Sequence, residues 1–151
     1  MIRGLGCDLC AVSRMNEIIK NQRFLERYFT AAERAYITGR VRSAETAAGI
    51  FAAKEALLKA LGTGLGGVDF EAVEIIHTPL GAPEYAMNEK LLKALHKAGA
   101  QRVFLSISHD GDYAMATGKV SADVNFVKLC AAASEVMARA IANAILHSLD
   151  A

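Results

Sequence analysis

The order of elements along this chain predicts an α+β domain followed by a helical C-terminal extension. Two observations carry that prediction. Strand-like runs at residues 103–108 and 113–120 flank His109-Asp-Gly-Asp112, and Asp110-Gly111 is a signal for a tight antiparallel hairpin turn. Upstream, residues 43–61 read as one long helix running into Gly62, a residue suited to closing it.

The remaining elements follow in chain order. Residues 5–12 are short, apolar and strand-like, with Asp8 embedded among them. Ser13 is an N-cap candidate for a helix from about residue 14 to 21. Residues 23–29 mix aromatics with Arg23, Glu26 and Arg27, and no element is assigned there. Thr30 and Glu33 have the capping-box spacing, which starts a helix ending near Gly39. The long helix then leads into the glycine-rich loop Gly62-Thr-Gly-Leu-Gly-Gly67. Residues 70–77 read as a strand through Val73, Ile75 and Ile76. A turn is expected over Pro79-Leu-Gly-Ala-Pro83. Leu91, Leu92 and Leu95 have helix spacing within residues 88–98. Beyond residue 120, Phe126, Cys130, Met137, Ile141, Ile145 and Leu149 trace mostly helical spacing among alanines, interrupted by Lys128, Glu135 and Arg139. That pattern is an amphipathic helix and not a membrane span. The expected division is a domain over 1–120 and a helical extension over 121–151, packed on the body or on a neighbouring subunit.

Composition narrows the function classes. The chain has 151 residues, one domain's worth, with a net charge of +1. No global field is directed at nucleic acid, so any basic site must be local. The 53% hydrophobic content implies a generous core or apolar surface buried between subunits. The N-terminus lacks the apolar core and cleavage site of a secretory signal, and no apolar run is long enough to span a bilayer. Three cysteines, an odd number, make no disulfide framework. The expectation is a cytoplasmic protein that binds neither nucleic acid nor membrane. Cys7 and Cys10 form a C-x-x-C, but a zinc site needs a second ligand pair and Cys130 is the sole further thiol. A redox pair would open a helix and not sit within a strand. Both are read as small apolar fillers of that strand.

The chemistry concentrates in Phe51-Ala-Ala-Lys-Glu-Ala-Leu-Leu-Lys-Ala-Leu-Gly-Thr-Gly64. Glu55 and Lys59 are an i, i+4 pair on one helix face, while Lys54 lies about half a turn out of register with Lys59. A carboxylate beside a lysine and a glycine turn suits a hard metal ion with phosphates. The same residues also suit an ordinary Glu–Lys pair ahead of a glycine cap, and the segment alone leaves both open. Asp8 sharpens the choice, because an acid within an apolar strand needs a cation or a donor. Paired with Glu55 it would under-ligate a metal, which suits Mg²⁺, an ion that keeps waters and accepts substrate phosphates. His109 closes a strand at the hairpin; alone, such a histidine is most often a surface residue.

Taken together, Gly6-Cys-Asp-Leu9, Phe29-Thr with Glu33, Phe51-Ala-Ala-Lys-Glu-Ala56, Lys59-Ala-Leu-Gly-Thr-Gly64 and Ser106-Ile-Ser-His109 resemble the ordered motifs of the holo-(acyl-carrier-protein) synthases. These are the small, trimeric 4′-phosphopantetheinyl transferases. The resemblance covers about residues 2–120. It implies an antiparallel sheet packed by the long helix and a homotrimer with active sites between subunits. It implies transfer of 4′-phosphopantetheine from coenzyme A to a serine of apo acyl carrier protein, in the cytosol and in lipid biosynthesis. By the same resemblance, Asp8 and Glu55 hold Mg²⁺, and Lys59 contacts phosphate with Gly62, Thr63 and Gly64. His109 sits at the coenzyme A site and Pro83 near the adenine. Arg14 meets the acidic carrier protein, with Arg23, Phe24 and Arg27 as weaker candidates. The base for the serine proton stays open among Glu55, Asp8 and a water on the metal. Three features depart from the pattern: the two cysteines in the first strand, Ile50 where many relatives carry arginine, and the long tail. Arg40 or Arg42 is the expected substitute for the missing arginine. The competing reading is a non-catalytic module that binds coenzyme A or carrier protein, which would not need both Asp8 and Glu55.

Overall fold

A computed structural model of the chain describes residues 1–63 and 68–123. Strands β1 (Ile2–Ala11), β4 (Arg102–Asp110) and β5 (Tyr113–Ser121) form an antiparallel sheet in the order β1-β5-β4. The register places Asp8 opposite Ala116, and Ala116 opposite Ile107. Two short strands, β2 (Ile75–His77) and β3 (Pro83–Tyr85), pair separately. Five helices complete the described fold: α1 (Val12–Ile18), α2 (Gln22–Tyr28), α3 (Ala31–Thr38), α4 (Ser43–Leu61) and α5 (Glu89–Lys97).

Helix α4 is the axis of the domain. It lies across the inner face of the main sheet, and small residues permit a close approach. A Cβ on Gly4 would stand 1.8 Å from the Ala60 carbonyl oxygen, and one on Gly6 would stand 2.1 Å from that of Ala56. Neither backbone can yield, so these glycines set the helix–strand distance. Ala52, Ala53 and Ala56 are fully buried, and Leu57 and Leu58 extend the core on other faces of the helix. The Tyr85 hydroxyl donates to the Ala53 carbonyl at 2.8 Å, tying the small sheet to α4.

Most elements lie where local sequence pattern puts them, and four differ. Ser13 does not cap α1 from outside; the helix begins two residues earlier than expected, at Val12 after Ala11. The Asp112 carboxylate in the hairpin turn accepts from Ser13 N at 2.8 Å and from Ser13 Oγ at 2.5 Å, so the cap comes from 99 residues away. Residues 22–28 form helix α2, with the Asn21 side chain accepting from Arg23 N and Phe24 N. Its period is aromatic: Phe24 and Tyr28 meet at 4.5 Å between centroids and pack on Phe51. The run 70–77 is a strand only at Ile75–His77, because Phe70–Ala72 turns as a short 3-10 helix. Pro83, expected to end a turn, opens β3.

The cysteines divide by strand alternation. Cys10 is buried against the inner face, and burial pushes its thiol up from the ordinary range. Cys7 points the other way and is exposed, so it does not fill the core. That outer sheet face also carries exposed Leu5, Leu9, Phe104 and Met115. Strand β5 runs one residue past the expected end, to Ser121. The expected helix of the extension, and Gly64, lie outside the described residues.

Candidate active site

Three of the residues singled out by sequence converge between β1 and α4. Asp8 sits on the inner face of β1, opposite the helix turn that carries Glu55 and Lys59. Lys59 Nζ donates to Asp8 Oδ1 at 2.7 Å and to the Cys7 carbonyl at 3.0 Å. The bond to the Asp8 carboxylate is the main cause that raises the Lys59 ammonium pKa. Among the described residues the Glu55 carboxylate, partly buried, has neither a hydrogen bond nor an ion pair. Burial, and then the charge of Asp8, push its pKa up.

This arrangement fits a hard cation. A partly buried carboxylate with no partner among the described residues stands beside a second carboxylate that already holds an ammonium, and a divalent ion would relieve both the burial cost and the mutual repulsion. Among the described residues no third acidic, histidine or cysteine side chain joins them. Two oxygen ligands leave room for waters and substrate phosphates, the usual manner of Mg²⁺.

The two lysines of the motif separate. Lys59 stands at the rim, with its side chain 49% exposed. Lys54 is fully buried: its ammonium meets Glu33 Oε2 at 2.7 Å and donates to the carbonyls of Tyr28 at 2.9 Å and Phe70 at 3.0 Å. Glu33 also accepts from Thr30 N and Ile75 N, both at 2.8 Å, so the α3 capping box is wired into the core. Lys54 therefore joins α2, α3, α4 and the 3-10 turn and does not face the site.

His109 belongs to a second feature. With Tyr36, Arg40, Arg42, Ile50 and His77 it lines a cavity of about 470 Å³. Tyr36 and His77 stack at 4.4 Å, and the Arg40 guanidinium lies over the Tyr36 ring and bonds its hydroxyl. Burial, and then Arg40, lower the His77 pKa. Ile50 faces the same cavity as Arg40 and Arg42, so both candidate substitutes for the missing arginine stand at that position. Pro83 does not line it but pairs with His77 across the small sheet.

Gly62 closes α4 in the left-handed region at φ 68°, as a C-cap glycine should. The Thr63 hydroxyl oxygen is buried without a partner among the described residues, and Thr63 lines a different cavity, with Val68 and Lys97. Arg14 is exposed on α1, its guanidinium 3.9 Å from Cys10 Sγ. Arg23 and Arg27 are exposed on α2, whereas Phe24 packs into the aromatic cluster. Nothing in the local sequence pattern points to Tyr36 and His77. Gly49, which also lines the His109 cavity, does carry a signal: it is a glycine inside an alanine-rich helix.

Comparison with known proteins places these features. The model of the 4′-phosphopantetheinyl transferase superfamily matches residues 4–118. A holo-(acyl-carrier-protein) synthase of Geotalea daltonii is 45% identical over 119 residues, covering 77% of this chain and 95% of the relative. The crystal structure of the corresponding synthase from Neisseria meningitidis superposes with a TM-score of 0.74 at 35% identity, covering 80% of this chain and 99% of that one. That of Helicobacter pylori, in complex with coenzyme A, gives 0.69 at 30% identity, covering 78% and 99%. The motif residues, the sheet with its central helix and these likenesses agree: this chain belongs to the 4′-phosphopantetheinyl transferase superfamily, among the holo-(acyl-carrier-protein) synthases.

Proposed function

We propose that this chain transfers the 4′-phosphopantetheine group of coenzyme A to a serine hydroxyl of an apo acyl carrier protein. The products are holo acyl carrier protein and adenosine 3′,5′-bisphosphate. The observation that carries this reading is the Asp8–Glu55–Lys59 cluster, in which a carboxylate with no partner among the described residues stands beside a paired one and a cation. Phosphoryl transfer needs positioning and charge neutralisation and no covalent enzyme intermediate. Asp8 and Glu55 would hold Mg²⁺, which when bound neutralises charge on the pyrophosphate. Lys59 would turn from Asp8 to a phosphate oxygen, with the Gly62, Thr63 and Gly64 backbone beside it. Arg40, Arg42 and His109 would take the adenosine end, where the leaving group carries its charge, with Pro83 near the adenine. A non-catalytic coenzyme A or carrier-protein module has no use for two neighbouring carboxylates.

Further parts of the same reading are a cytosolic enzyme of lipid biosynthesis and a homotrimer with sites between subunits. The trimer is supported by the exposed apolar outer face of the main sheet, where Leu5 is 64% and Leu9 58% exposed. Such a face on a free monomer invites association. Among the described residues no helix is long and apolar enough to cross a membrane. Arg14 on α1 would meet an acidic carrier protein.

The test is the intact mass of an apo carrier protein after incubation with this protein, coenzyme A and Mg²⁺. The expected result is a gain of one phosphopantetheine on the serine, lost with a chelator and lost in folded Asp8→Ala. An unchanged mass with wild-type protein overturns the reading.

A further inference from the structure

We infer that Gly49 is a positioning residue for His109: by omitting a Cβ it lets the imidazole lie against the middle of α4, in the wall of the cavity shared with Arg40, Arg42 and His77. The inference rests on the reading of His109 as a coenzyme A contact.

Glycine inside a helix is about 1 kcal/mol less favourable than alanine. Helix α4 otherwise uses alanine freely, and Ala47, Ala48, Ala52 and Ala53 around Gly49 are all fully buried. The backbone at Gly49 is ordinary, since the positive-φ glycines are Gly62, Gly81, Gly99 and Gly111. Conformational freedom is therefore not what this position needs, and space is.

The neighbours show what the space is for. A Cβ on Gly49 would lie 2.9 Å from His109 Nε2, 3.4 Å from His109 Cε1 and 3.2 Å from Ile107 Cγ2. All three are side-chain atoms. At Gly4 and Gly6 the nearest obstacle is a carbonyl oxygen of α4, so those glycines serve the fold itself. At Gly49 the obstacle is an imidazole at the end of β4, which is able to move. An alanine would leave the helix intact and push the ring from its seat. His109 is the last inward-facing residue of its strand before the hairpin turn, so beyond it β4 offers no inner-face neighbour to hold the ring. The helix surface at Gly49 supplies that support.

The test uses binding without turnover. Gly49→Ala, His109→Ala and the double variant are titrated with coenzyme A by calorimetry in the absence of carrier protein, and each is melted by circular dichroism. Gly49→Ala is expected to weaken coenzyme A by about tenfold, the scale of one misplaced charged hydrogen bond. Its melting temperature should not fall, because the helix gains an alanine. In the His109→Ala background the same change should have no further effect on affinity. Should Gly49→Ala fail to fold, rescue of folding by His109→Ala reports the same clash, and failure of that rescue overturns the inference. Equal weakening in both backgrounds also overturns it, as does normal affinity in Gly49→Ala beside weak binding in His109→Ala. If His109→Ala itself binds as tightly as wild type, the placement of His109 at the coenzyme A site fails, and the inference with it.

Discussion

Replacing Lys54 by methionine separates the two lysines of the motif. Lys54 and Glu33 are 0% and 1% exposed, and their ion pair is 2.7 Å long. Methionine fills similar space but leaves a buried carboxylate without its counter-charge, a loss of about 3–5 kcal/mol. Glu33 keeps two backbone donors, Thr30 N and Ile75 N, which favours the lower end. The Tyr28 and Phe70 carbonyls lose a shared donor, adding roughly 1 kcal/mol. The expected total is about 4 kcal/mol, or roughly 8–16 °C in Tm for a domain of this size. Urea unfolding followed by circular dichroism, without ligands, measures it. Glu33→Gln combined with Lys54→Met should recover part of the loss, because the stranded charge is gone. Transfer per folded molecule should stay close to wild type at low temperature. Lys59→Met should show the opposite pattern: its pair with Asp8 is partly exposed and worth at most about 1 kcal/mol, but transfer should collapse. A Lys54→Met protein of normal stability that fails in transfer would refute the structural role and place Lys54 in the catalytic machinery.

Three more outcomes are expected. Burial and the Asp8 charge raise the Glu55 pKa, so the folded state binds more protons than the unfolded one and ionised Glu55 costs stability, increasingly as pH rises through that window. Glu55→Gln should therefore stabilise the apo protein above the window and not below the ordinary carboxylate range, while abolishing transfer; an equal shift in urea midpoint at both pH values would refute the sign. Arg14→Glu should raise KM for carrier protein far more than KM for coenzyme A, and wild-type KM for carrier protein should rise with salt; steady-state kinetics showing equal effects on both substrates would remove Arg14 from the docking surface. Leu5→Arg places a charge on the apolar outer sheet face and should dissociate the proposed trimer, read by sedimentation of wild type and variant; an unchanged oligomer would show that this face is not the interface.

Features that arise within a turn or two of chain are legible in the amino-acid sequence. The Thr30–Glu33 capping box and the Gly62 cap formed as expected, and the β4–β5 hairpin formed with its two-residue turn at Gly111-Asp112, one position past the expected Asp110-Gly111, because each is settled by neighbours a few residues apart. The Asp8, Glu55 and Lys59 motif was legible too, since those residue types have chemistry wherever they meet. Tertiary structure alone decided what depends on which side of an element meets the core. Lys54 and Lys59 are five residues apart on one helix, and the packing of α2 and α3 buries the first while the sheet edge leaves the second at the rim. Cys7 and Cys10 differ only by strand parity, yet one faces solvent and the other the core. The α1 cap from Asp112, the Tyr36–His77 stack and the seat of His109 on Gly49 join residues dozens of positions apart. No local propensity encodes such pairs; they exist because packing brings α1 to the hairpin turn, α3 to the small sheet and α4 onto the main sheet.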